Sequence, residues 1–429
     1  MSTFSNSNSL SAFENLESNV RSYSRSFPVV FREASGAFLK DENGAEFIDF
    51  LSGAGVLNYG HNDRDLLAHA IQYLNSNCII HGLDMATSAK REFMELFDRI
   101  ILRPRDLSYK FQFPGPTGAN AVEAALKLAR KATGRHNIIS FTNGFHGVSL
   151  GALAVTGNRY YRDVAGSPPT GATFMPYDGY FGADADTSQY LDKMLSDASS
   201  GVDLPAAIIL ETVQGEGGIN VASENWLRNV ERLCKKNGIL LIVDDIQAGC
   251  GRTGSFFSFE FAGVSPDIIV LSKSLSGVGL PLSLLLLTPE LDIWQPGEHN
   301  GTFRGNNLAL VTATEALRKF WTDGNLSKAV VTKGRIISER LRQIAQSTGG
   351  ESFAVRGRGL MLALDCARGD VAEKIVRKAF EYGLVVERCG AEDQVIKLLP
   401  PLTIDEATAQ RGLDILQRSV TEVLASMMG

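Results

Sequence analysis

Three continuous apolar segments of strand length constrain the fold of this chain most. They read ILLIV before Asp244, IIVL before Ser272 and LSLLLL before Thr288. A strand with no polar alternation has to be covered on both faces, which is typical of a mainly parallel sheet lying between helices. These segments therefore predict a central α/β domain.

Helical and strand-like patterns alternate around these segments. Helices are predicted in AVEAALKLARKATG, ending at Gly134, and in ENWLRNVERLCKKNG, ending at Gly238, while NIISF and AAIILE are strand-like. The pair Asn43-Gly44, within an alternating segment, predicts a β-hairpin near the start of the fold.

A change in pattern predicts a second domain. From about Asn306, long amphipathic helices dominate, with a strand candidate at GLMLALD, which is typical of a smaller α+β domain. We predict an N-terminal segment over residues 1–60 that joins the small domain, a large domain over 61–315 and a C-terminal small domain over 316–429.

Composition narrows the partners. A net charge of -6 without any Lys/Arg cluster argues against nucleic acid, and the longest apolar segment is too short to cross a bilayer. The five cysteines are scattered and lack a CxxC pair, which favours reduced thiols rather than a disulfide framework or metal site. A cytoplasmic protein that acts on small molecules is expected.

Polar residues follow the apolar strands at the edge where α/β proteins bind ligands. Asp244 and Asp245 follow ILLIV, and Lys273 follows DIIVLS. A partly buried Asp244 needs a cationic partner, for which Arg252 and Lys273 are candidates. Helix capping or a surface pair would explain the aspartates equally well, and a surface loop would explain the lysine.

A cluster of helix-breaking residues precedes the first long helix. In FPGPTGANAVEAALKLAR, Thr117 can cap a helix whose first N–H groups and positive dipole end would attract a phosphate. The motif lacks the GK[ST] ending of a Walker loop, and such a loop alone is usually a tight turn.

Two further strand ends carry candidate ligand-binding residues. Phe145 and His146 lie among glycines in SFTNGFHG, and Glu211 and Glu216 in ETVQGEGG. An exposed aromatic ring can stack on a flat ligand, although a Phe is more often part of a core and the His could be structural. The glycines allow close approach of backbone to a ligand, or simply a turn.

One ligand needs all of these groups together. Pyridoxal 5′-phosphate requires a lysine for its aldehyde, an acid for its ring nitrogen and oriented N–H donors for its phosphate. We therefore interpret the strand ends as a site for this cofactor.

The chain resembles the class-III aminotransferases of the type I pyridoxal-phosphate fold. The resemblance rests on DENGAEFIDFLSGAG, DDIQAGCGRTG, LSKSLSG and RGRGLMLALD, and covers nearly the whole chain. It implies a large cofactor-binding domain with a mainly parallel sheet covered by helices, plus a smaller α+β domain.

The resemblance also implies residue roles. Lys273 would bond to the cofactor aldehyde and then move a proton at the substrate carbon, while Asp244 would pair with the ring nitrogen. Phe145 would cover the ring, and Thr302 would reach the phosphate of a neighbouring subunit, which requires a homodimer or larger assembly. The full set of cofactor-binding candidates is Thr117, Gly118, Ala119, Phe145, His146, Glu211, Asp244, Gln247, Lys273 and Thr302.

Within this family, IIHGLDMAT, NGTFRGNNLA and IKLLPPLTI look most like the diaminobutyrate:2-oxoglutarate aminotransferases of ectoine biosynthesis. The implied reaction moves the amino group of L-glutamate to L-aspartate 4-semialdehyde, giving L-2,4-diaminobutyrate and 2-oxoglutarate. Another ω-aminotransferase, of the ornithine, acetylornithine or 4-aminobutyrate type, an aminomutase and a non-catalytic binding protein remain alternatives. A dinucleotide-dependent dehydrogenase is disfavoured, because LSGAGVLNYG lacks the third glycine of GxGxxG.

The predicted substrate-binding pair is Glu216 with Lys397. Many relatives carry an arginine where this chain has Lys397 in VIKLLPPL, and lysine offers a point charge rather than a bidentate fork. The resemblance implies that Glu216 masks this cation when an ω-amine occupies the site. Arg304 is the alternative cation for a substrate carboxylate.

Overall fold

The computed structural model describes residues 10–165, 170–348 and 353–428. The α-helices in these residues are α1 Ser11–Leu16, α2 Tyr23–Ser26, α3 Ser52–Gly55, α4 Arg64–Asn75, α5 Ser88–Phe97, α6 Gly118–Thr133, α7 Leu150–Ala154, α8 Arg159–Asp163, α9 Thr187–Ser196, α10 Glu224–Asn237, α11 Asn307–Phe320, α12 Asn325–Gln346, α13 Gly369–Glu381 and α14 Glu406–Met428. The strands are β1 Phe31–Ser35, β2 Phe38–Asp41, β3 Glu46–Asp49, β4 Lys110–Gln112, β5 Ile138–Phe141, β6 Ala172–Met175, β7 Ala207–Leu210, β8 Val213–Gln214, β9 Asn220–Val221, β10 Leu240–Asp244, β11 Ile268–Leu271, β12 Leu284–Leu287, β13 Ala354–Arg358, β14 Met361–Asp365, β15 Leu384–Val385, β16 Glu387–Cys389 and β17 Val395–Leu398.

A seven-stranded sheet forms the centre of the molecule, in the order β4-β12-β11-β10-β7-β5-β6. Neighbouring strands from β11 to β6 run parallel, and β12 runs antiparallel to both β11 and β4. Every residue of β11 and β12 is buried, as both-face coverage requires. The structure thus confirms the predicted α/β fold with a mainly parallel sheet.

The ends of the two predicted helices follow their capping residues. The Thr117 hydroxyl accepts the Asn120 N–H at the start of α6, at 3.3 Å. Gly134 and Gly238 end α6 and α10 in the left-handed region, at φ 68° and 57°. Both helices are therefore confirmed, and each ends at the glycine that the sequence predicts.

Beside the central sheet, the described residues form two four-stranded sheets and the two-stranded pair β8-β9. The hairpin predicted at Asn43-Gly44 joins β2 to antiparallel β3, and β15 pairs parallel with β3. The other sheet has the antiparallel order β13-β14-β17-β16, and α12 packs against β13 and β14. The pairing of β3 with β15 links the N-terminal and C-terminal parts of the chain. The domain boundaries at residues 60 and 315 stay a prediction.

Arg252 corrects one expectation. Its guanidinium is buried and donates to the Asn58 side chain at 2.7 Å and to the carbonyls of Leu360 and Pro400 at 3.1 and 2.5 Å. Positive φ angles at residues 250 and 251 turn the backbone and carry this side chain away from the strand end. Arg252 was therefore the wrong candidate partner for Asp244, because it joins distant segments of the chain instead.

Of the helices in the described ranges, none combines the length and the apolar character needed to cross a membrane.

Candidate active site

A cavity of about 180 Å³ lies at the carboxyl ends of β10 and β11, against the start of α6. It collects most of the cofactor-binding candidates in one place. The lining residues are Gly118, Ala119, Phe145, His146, Gly147, Glu211, Glu216, Asp244, Ile246, Gln247, Ser272 and Lys273. Thr117 caps the adjoining helix, whereas Thr302 and Lys397 lie outside this lining.

Lys273 is held in an uncommon conformation. Its backbone lies in the left-handed region at φ 49°, and its Nζ donates to the Ala54 carbonyl at 2.8 Å. Backbone strain of this kind persists where the surrounding structure fixes it, and it clusters at functional sites. Burial lowers the pKa of Lys273. Together these features favour a nucleophilic amine at a fixed position.

His146 is the partner of Asp244. Its Nδ1 lies 2.7 Å from the Asp244 carboxylate, with both side chains buried, and its backbone N–H donates to Thr156 at 3.0 Å. Burial alone would lower the pKa of His146, but the hydrogen bond and charge of Asp244 raise it. The hydrogen bond from His146 therefore holds the Asp244 carboxylate in place at the wall of the cavity.

Glu211 fixes the loop that carries Phe145. Its two carboxylate oxygens accept the backbone N–H groups of Phe145 at 2.9 Å and Gly215 at 3.0 Å. Burial raises the pKa of Glu211 to about 7. Glu211 therefore fixes the backbone at Phe145, in addition to lining the cavity.

Small residues allow close packing of the backbone around the start of α6. A Cβ at Gly118 would lie 2.8 Å from Ile246 Cδ1, and a Cβ at Gly147 would lie 2.7 Å from Ala119 Cβ. The amides of Gly118 and Ala119 belong to the first helical turn, where no intrahelical acceptor exists. This arrangement of glycines and N–H groups suits a phosphate.

Gln247 lines the cavity and carries a buried acceptor atom without a partner in the part of the chain that the structure describes. Its amide nitrogen donates to the Ala54 carbonyl at 3.0 Å and to Glu216 at 3.2 Å. Its Oε1 is buried and finds no hydrogen-bond partner among the described residues. A buried polar atom of this kind is uncommon in a native protein and fits a ligand that brings its own polar group.

Lys397 and Glu216 meet at the edge of the cavity. Lys397 is fully buried, and its Nζ lies 2.6 Å from Glu216 and 3.0 Å from Glu387. Burial opposes the charge on Glu216, but the charges of Lys397 and Lys273 together with hydrogen bonds from Lys397 and Gln247 lower the pKa of Glu216 to about 2. The predicted pair is thus in contact, and its proposed role stays a prediction.

Glu387 and Tyr23 were missed by the sequence analysis. Glu387 lies directly across from Lys397 in the antiparallel pairing of β16 with β17, and the Tyr23 hydroxyl donates to it at 3.0 Å. A second cavity of about 540 Å³, lined by Tyr23, Tyr161, Glu216 and Glu387 among others, adjoins the first at Glu216. Only the strand register, which a single sequence does not display, brings Glu387 to Lys397.

Thr302 lies on an exposed segment, where its carbonyl accepts from the His81 ring at 2.9 Å. Its neighbour Phe303 is 69% exposed, and Arg304 pairs with Asp84 in a separate cavity. Thr302 does not line the candidate site of its own chain, and its predicted role towards another copy stays a prediction. Arg304 does not face the candidate site of its own chain.

The family comparison agrees with this geometry. A model of the class-III aminotransferases matches residues 20–420. The chain belongs to this family. The resemblance found in the sequence is therefore confirmed over almost the full length of the chain.

Relatives and solved structures extend the comparison. The chain is 76% identical to an uncharacterized aminotransferase of Sinorhizobium fredii, over 98% of this chain and 94% of the relative. It is 58% identical to a diaminobutyrate–2-oxoglutarate transaminase of Bordetella parapertussis, over 97% and 96%, and 56% identical to one of Halomonas elongata, over 96% and 99%. The ornithine aminotransferase of Toxoplasma gondii, which holds pyridoxal phosphate at partial occupancy, aligns with a TM-score of 0.84 at 26% identity, over 98% of this chain and 95% of that one.

Proposed function

We propose that this protein is a pyridoxal-phosphate-dependent transaminase that moves the amino group of L-glutamate to L-aspartate 4-semialdehyde. The products are L-2,4-diaminobutyrate and 2-oxoglutarate, as in the first committed step of ectoine biosynthesis, and the proposed compartment is the cytoplasm. One observation carries the chemistry: a half-buried lysine amine and a carboxylate supported by histidine face one cavity beside a helix N-terminus. The names of the relatives in Bordetella and Halomonas support the substrate.

The cavity fits the proposed cofactor. The first-turn amides of Gly118 and Ala119 would hold its phosphate, Phe145 would cover its ring, and the unsatisfied Gln247 would face its phenolic oxygen. When bound, pyridoxal phosphate supplies a conjugated ring that withdraws electrons from the substrate carbon.

The residues of the chain divide the remaining work. The Lys273 amine would take a proton from the substrate carbon and return it later in the reaction. Its hydrogen bond to the Ala54 carbonyl would fix the position of the amine. The Asp244 carboxylate would hold a proton on the ring nitrogen, and His146 would keep that carboxylate in position.

The substrate itself can be identified by product analysis. Purified protein is incubated with the cofactor, glutamate and a panel of ω-aldehydes that includes aspartate 4-semialdehyde and glutamate 5-semialdehyde, and the amino acids formed are separated. We expect diaminobutyrate as the main product, with an equal amount of 2-oxoglutarate. Ornithine as the main product would contradict the proposed substrate, and product without 2-oxoglutarate would point to an aminomutase.

The pair Glu216 and Lys397 gives a prediction about the two amino donors. A site that accepts glutamate and a substrate with an amine at its far end cannot keep one cation exposed. Glu216→Ala should therefore lower k/K for diaminobutyrate about tenfold and spare glutamate, while Lys397→Ala should do the reverse. Single-turnover kinetics with each donor measures both. Equal losses for both donors in both variants would show that no switch operates.

Assembly gives another prediction, through Thr302. We propose a homodimer or larger assembly in which Thr302 reaches the phosphate of the neighbouring copy. The exposed apolar residues Ile79, Ile80 and Phe303 nearby support a buried contact there. Dilution that dissociates the assembly should then release cofactor, measured by ultracentrifugation together with cofactor absorbance. A monomer that retains one cofactor per chain would contradict this role.

A further inference from the structure

Two carboxylates, rather than one, contact the buried Lys397 ammonium, and they lie on different kinds of backbone element. Glu216 lies in the turn between β8 and β9, flanked by Gly215, Gly217 and Gly218. Glu387 lies on β16, where its backbone is paired across from Lys397 in an antiparallel ladder. The strand pairing holds the backbone of Glu387 beside Lys397, whereas Glu216 reaches the lysine from a turn with its side chain.

Further contacts hold Glu387 in place. One carboxylate oxygen lies 3.0 Å from Lys397 Nζ, and the other accepts the Tyr23 hydroxyl at 3.0 Å. Burial raises the pKa of Glu387 against the effect of Lys397, and the charge of Glu216 raises it further. Departure of Glu216 would remove one of the charges that raise the pKa of Glu387, which favours its ionised form. Glu387 would then be the carboxylate that remains beside Lys397.

Movement of Glu216 consequently does not leave a free cation. Lys397 would still face a carboxylate across the strand pair, and the positive charge offered to a substrate carboxylate is reduced. A dicarboxylate such as glutamate therefore binds less tightly here than it would beside an unpaired lysine. A substrate with ammonium groups at both ends instead meets an acidic wall formed by Glu387, Glu216 and the Tyr23 hydroxyl along the second cavity.

We propose that Glu387 determines donor specificity by keeping Lys397 paired, which limits affinity for a second carboxylate and favours a substrate with a second ammonium group. The inference rests on the proposed function and deepens it. It treats Glu387 and Tyr23 as residues of the substrate site in addition to Glu216.

Glu387→Gln tests this inference because it keeps the shape and removes the charge. In the holoenzyme, we expect glutarate, an unreactive dicarboxylate, to bind about tenfold more tightly, as measured by calorimetry. The single-turnover k/K for diaminobutyrate should fall about tenfold, while that for glutamate stays level or rises. A purely structural Glu387 would lower both k/K values together and leave glutarate binding no tighter, which would overturn the inference.

Two further variants complete the test. Tyr23→Phe keeps the charge and removes the hydroxyl, so it should shift the ratio of the two k/K values in the same direction but by about threefold. If the Glu387 variant does not fold, Tyr23→Phe still tests the inference, because an unchanged k/K ratio in this variant would refute the role of Glu387 in donor specificity. Glu290→Gln is the control, because it makes the same change at an exposed glutamate that lines neither of the two cavities, and it should change neither the k/K ratio nor glutarate binding.

The outcomes separate the two proposals. A wild-type protein that reacts with glutamate but not with diaminobutyrate overturns the proposed substrate and this inference together. A wild-type protein that uses both donors, with the same k/K ratio in the Glu387 and Tyr23 variants, overturns the inference alone.

Discussion

Lys273→Ala is expected to abolish turnover while the protein keeps its fold. The side chain supplies the amine that would bond to the cofactor and move the substrate proton, and no other lysine lines the described part of this cavity. Loss of a proton-transfer group alone lowers rates by about 100-fold to 10,000-fold, so the loss of both functions should exceed a thousandfold in kcat. The measurement is kcat with glutamate as donor.

The physical reason distinguishes this variant from a destabilised one. Lys273 has a left-handed backbone conformation, and alanine has the same strain there as lysine because both carry a Cβ. The substitution should therefore shift the melting temperature by only a few degrees. Borohydride reduction followed by peptide mass spectrometry should find cofactor on Lys273 in the wild type and none on the corresponding peptide of the variant. Lys328→Ala, which alters an exposed lysine, should retain both activity and labelling. Normal turnover in Lys273→Ala would end the transaminase proposal.

Much of the framework could be predicted from the sequence, because it depends on local pattern. The apolar segments before Asp244 and Ser272 specified buried strands, and Gly134 specified a helix end, since each signal acts within a few residues. The order of the strand ends then brought Lys273 and Asp244 to one cavity. This follows from the general rule that ligands bind at the carboxyl edge of such sheets.

Partners across the fold could not be predicted in the same way. Arg252 is eight residues from Asp244 and looked like its partner, yet a backbone turn sends it to Asn58, while the actual partner is His146. Glu387 faces Lys397 only because β16 and β17 pair in one particular register. A shift of one residue would place Glu387 on the opposite face, and a single sequence does not fix that register.

Asp244→Asn should impair chemistry more than cofactor binding. Asparagine keeps the shape of the side chain but loses the charge that would hold the ring nitrogen protonated, so electron withdrawal from the substrate carbon weakens. We expect the half-reaction with glutamate to slow by about a hundredfold or more, since a preorganised charge is removed from a buried site. Cofactor affinity should fall much less, because the phosphate and lysine contacts remain. Stopped-flow absorbance in a single turnover and equilibrium dialysis measure the two effects.

Asp245→Asn is the matched control, because it makes the same change one residue further along the chain. Asp245 is also buried, but its carboxylate accepts the Ser258 N–H at 3.0 Å and lies outside the lining of the candidate site. Burial raises the pKa of Asp245 to about 7. The control variant should keep the half-reaction rate within about threefold of the wild type, in contrast to the loss at Asp244. An unchanged rate in Asp244→Asn would contradict the role of this carboxylate, and equal losses in the two variants would trace the effect to general destabilisation of the strand end.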